Sequence, residues 1–198
     1  MAPSAMSIDS PTSSALQESI DVSKIKITDS PHPAYLHHLA TTILHNLQYQ
    51  HSWSSLEIHT HSPITSQPLP RPLISGLPPA RVYIHPDEQA AIIKAEHDTG
   101  EKIEQRPERE WVLPTHIKEK WSLKRFAGVF DGLSVVPPGD QGTPDEDEDE
   151  DEAEGEKSVG DPWQGNNRLK RLLLSTLDDD STVTYYVMFD GLVKPRQN

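Results

Sequence analysis

Histidine, lysine and carboxylate side chains are the groups in this chain that could do chemistry, and their spacing decides what chemistry is open to them. The chain has ten histidines and no cysteine. His59 and His61 would share one face of a strand, and His38 and His45 lie seven residues apart. Neither pair has a third ligand nearby, so we expect no metal site. No GxSxG, Walker or GxGxxG motif is present, and we expect no bound cofactor.

General acid–base catalysis would have to be assembled from His116, Lys118 and Lys170, which share no characteristic spacing, so we assign no catalytic residue. Two basic clusters could contact phosphate groups: Lys118, Lys120, Lys124 and Arg125, and Arg168, Lys170 and Arg171. A chain with a net charge of −13 is nevertheless a poor nucleic-acid binder on its own. Ordinary polar faces of a strand and a helix are the simpler explanation of both clusters.

The three adjacent carboxylates of Asp178, Asp179 and Asp180 are the most informative group. They form a tight turn between two segments rich in strand-forming residues, 168–177 and 182–195. Carboxylates on such a rigid support present a compact negative surface that can dock into a basic pocket of another protein. A generic hairpin turn is the alternative, since aspartate is common in turns.

Length and composition predict one small folded domain with disordered segments. The 198 residues are 34% hydrophobic and include 18 prolines, which suits a folded core of roughly 110–130 residues. Residues 1–30 are rich in Ser and Pro, so we expect a disordered tail. Residues 145–152 are eight consecutive carboxylates, and we expect a disordered acidic insert over 137–165. Removing the ten carboxylates of 145–156 from the net charge of −13 leaves −3.

No apolar run approaches the roughly 20 residues that a membrane-spanning helix needs. The first nineteen residues lack the apolar core of a signal peptide and the Arg-rich bias of a transit peptide. We therefore expect a nuclear or cytosolic protein.

Hydrophobic periodicity predicts the elements that must position these groups. We expect helices over 33–51 and from the N-cap Ser122 to about Gly132, and a short helix after Pro86. Strands are predicted at 53–60, 80–84 and 111–121, the last one weakened towards a sheet edge by Pro114. Residues 62–79 contain six prolines and are predicted to be a loop. With the two C-terminal strands, the expected fold is a single small α/β (α+β) domain over 31–198, with a mixed β-sheet and flanking helices.

Three segments resemble a known family, the small structural subunit of the eukaryotic tRNA-splicing endonuclease (the Sen-fifteen type). Residues 172–198, LLLSTLDDDSTVTYYVMFDGLVKPRQN, resemble its C-terminus, most specifically over 180–191. Residues 110–126, EWVLPTHIKEKWSLKRF, are similar to its strand and following helix. Residues 32–53, HPAYLHHLATTILHNLQYQHSW, are similar to its opening helix.

The resemblance implies a nuclease-type α/β domain in a four-subunit complex, in which two subunits cut pre-tRNA and two are structural. This family is structural, and it pairs with a catalytic subunit through its C-terminal strand. Carried over to this chain, the pairing residues are Val183, Tyr185, Tyr186, Val187, Met188 and Phe189. The acidic loop of a structural subunit inserts into a basic pocket of the other half of the complex, and here that loop is Asp178, Asp179 and Asp180.

The catalytic relatives use a Tyr-His-Lys triad, and Lys170 falls near the position of the lysine. No convincing tyrosine and histidine precede it, and the acidic insert would repel RNA phosphates. We therefore expect a non-catalytic subunit that reaches pre-tRNA through its complex, located in the nucleus or alternatively in the cytoplasm at the outer mitochondrial surface. Its exposed last strand predicts a homodimer of the isolated chain. Two alternatives are a residual ribonuclease using Lys170 and His116, and an acidic nuclear interaction protein acting through residues 145–156.

Overall fold

A computed structural model describes residues 30–139 and 161–191. The predicted tail over 1–30, apart from Ser30, and most of the predicted acidic insert lie outside these ranges. The described elements are α1 (Ala34–Gln50), β1 (Ser54–His61), β2 (Pro68–Leu77), α2 (Pro86–Thr99), β3 (Glu110–His116), α3 (Leu123–Asp131), β4 (Arg171–Leu177) and β5 (Val183–Phe189). Short 3₁₀ turns occupy Asp161–Trp163 and Gly165–Asn167. No helix within the described ranges is long and apolar enough to cross a membrane.

The five strands form one mixed sheet in the order β1-β2-β3-β4-β5, which confirms the predicted fold class. β3 and β4 are parallel, and the other neighbouring strands are antiparallel. Side chains alternate across the sheet. One face, which carries Ile74 and Val112, packs against α1, and the opposite face, which carries Leu73 and Trp111, packs against α3. The core is therefore two apolar layers with the sheet between them.

Helix boundaries follow the signals that the sequence provides. α1 buries the predicted apolar stripe, including Ile43 and Leu47. The hydroxyl of Ser122 accepts a hydrogen bond from the N–H of Arg125 at 3.3 Å, so the predicted N-cap of α3 is confirmed. α2 begins at Pro86 and ends at Gly100, whose φ of 75° is the left-handed conformation of a helix C-terminus.

The predicted loop at 62–79 is wrong, because ten of its residues form β2, between β1 and β3. The prolines misled the prediction. Pro68, Pro70 and Pro72 lie in the first half of the strand, whereas pairing with β3 involves only residues Ile74 to Gly76. Residues that lack an N–H are tolerated where no ladder bond is needed.

The predicted strand at 80–84 is also wrong, since these residues form a short connection between β2 and α2. Pro78 and Pro79 end β2 and Pro86 opens α2, which leaves no room for another strand. The predicted order of helices and strands is nevertheless correct, because β2 takes the place of this strand.

β3 is shorter and more buried than predicted. It ends at His116 rather than at Trp121, and it lies at the centre of the sheet with its first six residues buried. Pro114 does not mark an edge. Pairing with β2 stops at Val112, so Pro114 lies beyond that ladder and pairs only in the parallel register with β4.

Three arginines and three glutamates form a buried charge cluster at the end of the sheet where β3 and β4 begin: Arg81, Glu88, Glu108, Glu110, Arg168 and Arg171. Arg81 contacts Glu88 through two hydrogen bonds of 2.6 and 3.1 Å. Arg171 contacts Glu110 at 2.5 Å and Glu108 at 2.9 Å. Because charges are rarely buried without partners, mutual neutralisation is what lets these six side chains leave water.

Arg168 ties separate parts of the chain to the charge cluster. Its guanidinium donates to the carbonyl oxygens of Arg109 at 2.9 Å and Val135 at 3.2 Å. The N–H of Gly165 donates to Glu108 at 2.8 Å. Burial would raise the pKa of Glu108, but this hydrogen bond and the neighbouring guanidiniums outweigh burial and lower the pKa. Both flanks of residues 140–160 are thereby fixed to the same cluster.

Replacing Arg168 with methionine should destabilise the domain by about 3–5 kcal/mol, because Glu108 and Glu110 lose one of the guanidiniums that neutralise them and two buried carbonyl oxygens lose their donor. Urea unfolding followed by circular dichroism measures the change. Lys102→Met, on the exposed segment after α2, is the control and should shift the unfolding free energy by less than about 0.5 kcal/mol. Equal stability of the two variants would contradict a structural role for the cluster.

Candidate protein–protein interface at the C-terminal hairpin

The acidic turn, defined as Asp178, Asp179 and Asp180, joins β4 to β5. The N–H of Asp178 donates to the carbonyl of Thr182 at 2.9 Å, and Ser181 takes a left-handed φ of 70°. The carboxylate of Asp180 accepts the N–H of Thr182 at 2.8 Å, and that of Asp178 accepts the N–H of Asp179 at 2.6 Å. Two of the three carboxylates therefore stabilise the turn backbone.

The carboxylate of Asp179 instead forms an ion pair with the ammonium of Lys118 and lies 3.5 Å from Nε2 of His116. The hydrogen bond from Lys118 lowers the pKa of Asp179, and the backbone N–H of Thr182 lowers the pKa of Asp180. Both groups of the pair are open to solvent, with 70% of the Lys118 side chain and 57% of the Asp179 side chain exposed. The turn therefore keeps its charge at neutral pH and remains accessible.

Sequence reasoning missed the contact between Lys118 and the acidic turn. Parallel pairing puts His116 opposite Leu177, so the residues that follow the two strands lie at the same end of the sheet. The signal that could have revealed this contact is a parallel β3–β4 pair, because the carboxyl ends of parallel strands meet.

β5 is an edge of the sheet, and its outer side is regular. Its seven residues pair with β4 in an unbroken register. The opposite edge, β1, is interrupted by two register shifts, between Ser54 and Glu57 and between His59 and His61. Bulges of this kind protect an edge from further pairing, whereas a regular edge is a template for another strand.

The predicted pairing residues divide between the two faces of β5. Val183, Tyr185 and Val187 pack towards α1 as part of the core. The hydroxyl of Tyr185 donates to Oδ1 of Asn46 at 2.6 Å, and burial raises the pKa of this tyrosine. Phe189 lies 5.0 Å from the ring of Tyr83, measured between centroids. These residues hold β5 on the domain.

Tyr186 and Met188 lie on the face shared with α3. Met188 packs against the core of that face, while Tyr186 is 58% exposed and sits opposite Leu174 on β4. Among the predicted pairing residues, Tyr186 is thus the one side chain that presents a large apolar surface next to the regular edge.

Lys170 and His116 cannot act on the same substrate atom. Lys170 precedes β4, while His116 pairs with Leu177 at the other end of that strand. Seven residues of strand separate the two positions by about 20 Å. This distance opposes a residual ribonuclease built on that pair. Within residues 30–139 and 161–191, no three His, Asp or Glu side chains are grouped to hold a metal ion.

Comparison with known proteins yields one family and one close relative. The family described as Sen15 protein matches residues 42–143 and 156–198. A protein from Neurospora crassa named "Probable tRNA-splicing endonuclease subunit tsp-1" is 47% identical over 164 residues, which cover 83% of this chain and 67% of that protein. The matched family ranges include β3, the acidic turn and β5.

Removing the ammonium of Lys118 should raise the pKa of Asp179 towards the ordinary range of an aspartate carboxyl. Carboxyl titration by NMR, comparing Lys118→Met with the parent chain, measures the shift. Asp180 is an internal control, because its pKa depends on Thr182, and Lys120→Met is a matched control on the same segment. An unchanged Asp179 titration would show that the ion pair does not form in solution.

Proposed function

This chain belongs to the Sen15 protein family, and from that premise we propose that it is a structural, non-catalytic subunit of the tRNA-splicing endonuclease that removes introns from pre-tRNA. The observation that carries the proposal is the 47% identity to a protein named as a subunit of that enzyme. The family membership confirms the resemblance noted from the sequence. The geometry of the hairpin supports the two contacts described next.

The first contact is strand addition at β5. A partner strand that pairs with the outer edge of β5 would satisfy backbone groups that the sheet leaves open. The inward residues Val183, Tyr185 and Val187 already hold β5 on the domain, so the edge is rigid before the partner binds. Tyr186 offers the exposed aromatic contact beside that edge. We assign this edge to the catalytic subunit.

The second contact is the acidic turn, which would enter a basic pocket in the other half of the complex. Its backbone is fixed by the carboxylates of Asp178 and Asp180, and its charges are exposed. A preorganised anionic turn loses little conformational entropy on docking. Charge complementarity with a basic pocket would then set the register of the two halves.

The distance between Lys170 and His116 supports the non-catalytic role. We further propose that the subunit is located in the nucleus, or alternatively in the cytoplasm at the outer mitochondrial surface. It would contact pre-tRNA as part of the complex. In isolation the regular β5 edge favours a homodimer. The alternative of an acidic interaction segment at 145–156 lies outside the described residues.

Replacing Asp178, Asp179 and Asp180 with alanine should weaken joining of the two halves by roughly 30-fold or more, as for other desolvated charge pairs. Size-exclusion chromatography with light scattering, at about 1 μM complex, reports the assembled mass. The triple asparagine variant keeps the hydrogen-bond acceptors of the turn and removes its charge, so it should weaken joining of the two halves to the same extent. Normal assembly of both variants would refute the role of the turn.

Changing Tyr186 to lysine should weaken binding of the catalytic subunit roughly tenfold, because a charge and a flexible chain replace an aromatic contact beside the pairing edge. Titration calorimetry with the purified catalytic subunit measures the affinity. Tyr49→Lys is the matched control, since Tyr49 is 74% exposed on α1. Both variants should keep the unfolding free energy within about 1 kcal/mol of the parent. Equal affinity of the two variants would place the contact elsewhere.

A further inference from the structure

The segment between β3 and α3, with the first turn of α3, carries four exposed cations. We call it the connector surface and define it by Lys118, Lys120, Lys124 and Arg125. All four side chains are exposed. The strand addition and the acidic turn of the proposed function use none of these four cations.

The anion within this segment does not cancel its charge. Glu119 is held by the buried guanidinium of Arg71 through hydrogen bonds of 2.7 and 3.1 Å. Arg125 lies over the ring of Trp121 at 4.1 Å and also approaches Glu119 at 3.6 Å. Among the described residues, Lys120 and Lys124 form no ion pair. Lys118 and Arg125 thus each share a carboxylate, with Asp179 and Glu119 respectively, whereas Lys120 and Lys124 present positive charge that no described carboxylate pairs with.

A cleft of about 370 Å³ lies at the start of the connector segment, where Lys118 and Glu119 line it. Its other walls include Tyr35, His38 and His116, which come from α1 and from the end of β3. Tyr35 is 66% exposed. The cleft thus places an accessible aromatic ring and two imidazoles next to Lys118, the first cation of the connector surface, and it is large enough for one nucleobase.

We propose that the connector surface and this cleft bind a single-stranded segment of RNA, with phosphates on Lys120, Lys124 and Arg125 and one base stacked against Tyr35. Cations that follow the backbone beside an aromatic platform are the arrangement by which proteins hold single strands. A duplex would not suit the site, because its bases are stacked and cannot enter a cleft. Identification of the ligand as pre-tRNA rests on the proposed function.

The acidic turn links this RNA site to assembly. In the free chain, Asp179 forms an ion pair with Lys118, and Asp178 and Asp180 add further negative charge nearby. If the turn enters a basic pocket of the other half of the complex, Lys118 is released and the local repulsion of phosphates falls. RNA binding at the connector surface is therefore stronger in the assembled complex than in the free chain.

The test uses the assembled complex and a fluorescently labelled intron-containing pre-tRNA, with binding measured by anisotropy across a range of salt concentrations. Lys120→Gln with Lys124→Gln should weaken binding roughly tenfold at about 0.1 M salt. The slope of log affinity against log salt should fall by about 1.4, as expected for two lost phosphate contacts to a single strand. The matched control is Lys94→Gln with Lys102→Gln, two exposed lysines outside the connector surface.

A second pair of variants tests the cleft. Tyr35→Ala should weaken binding about fivefold or more without changing the salt slope, because it removes stacking and no charge. Tyr49→Ala, on the same helix and 74% exposed, should bind as the parent does. Unchanged affinity and slope in both the lysine and the Tyr35 variants overturn the proposal. Loss of assembly in the lysine variants, with normal RNA binding by the complex that does form, also overturns it and assigns the surface to a protein partner.

A measurement on the full chain alone separates this proposal from the proposed function. The asparagine variant of the acidic turn should bind a labelled single-stranded RNA more tightly than the parent chain, and adding the Lys120 and Lys124 changes should abolish the gain. This result is expected even if the turn proves to have no part in assembly. No gain in the asparagine variant, together with unaltered binding by the lysine variants of the complex, refutes the RNA site alone.

Discussion

The buried charge cluster is the constraint on which the rest of this structure depends. It lies where β3 and β4 enter the sheet, and it joins α2 to the segments that flank residues 140–160. A chain that is 34% hydrophobic has little apolar surface to spare, so charged side chains in its interior need opposite charges beside them. Arg168 and Arg171 must reach the glutamates of β3 and of the segment before it. This requirement fixes where β4 begins beside β3.

Once β4 is fixed beside β3, the parallel pairing determines the opposite end of the sheet. His116 and Leu177 become neighbours, and the residues that follow them, Lys118 and Asp179, form their ion pair. The direction of these two strands thus brings the acidic turn and the connector surface, with the cleft that Lys118 lines, to the same end of the sheet. The charge cluster lies at the opposite end of these strands, so changes at the acidic turn need not disturb the part of the molecule that stabilises the fold.

Local signals were sufficient to predict the helices and the C-terminal hairpin, because their residues follow clear periodicities. Ser122 acts as a cap, α1 buries its apolar stripe, and the Asp turn joins two strands. β2 could not be predicted from local signals, since the tolerance of its prolines depends on a tertiary feature, the confinement of pairing with β3 to Ile74, Ser75 and Gly76. The charge cluster could not be predicted either: sequence patterns assign Arg168 and Arg171 to an ordinary polar face, and nothing local in the sequence links them to Glu110.

The two edges of the sheet explain why this domain can remain folded and still present a free strand. β1 interrupts its own pairing with register shifts, which protect that edge. β5 has no such protection, yet its inward side chains, including Tyr185 with its hydrogen bond to Asn46, secure it to α1. Among the described residues no strand pairs with the outer side of β5, and such an open edge is a liability in water because it invites association with any extended chain. In the proposed function the catalytic subunit covers this edge, and the adjacent charges of the acidic turn would restrict which partner can do so.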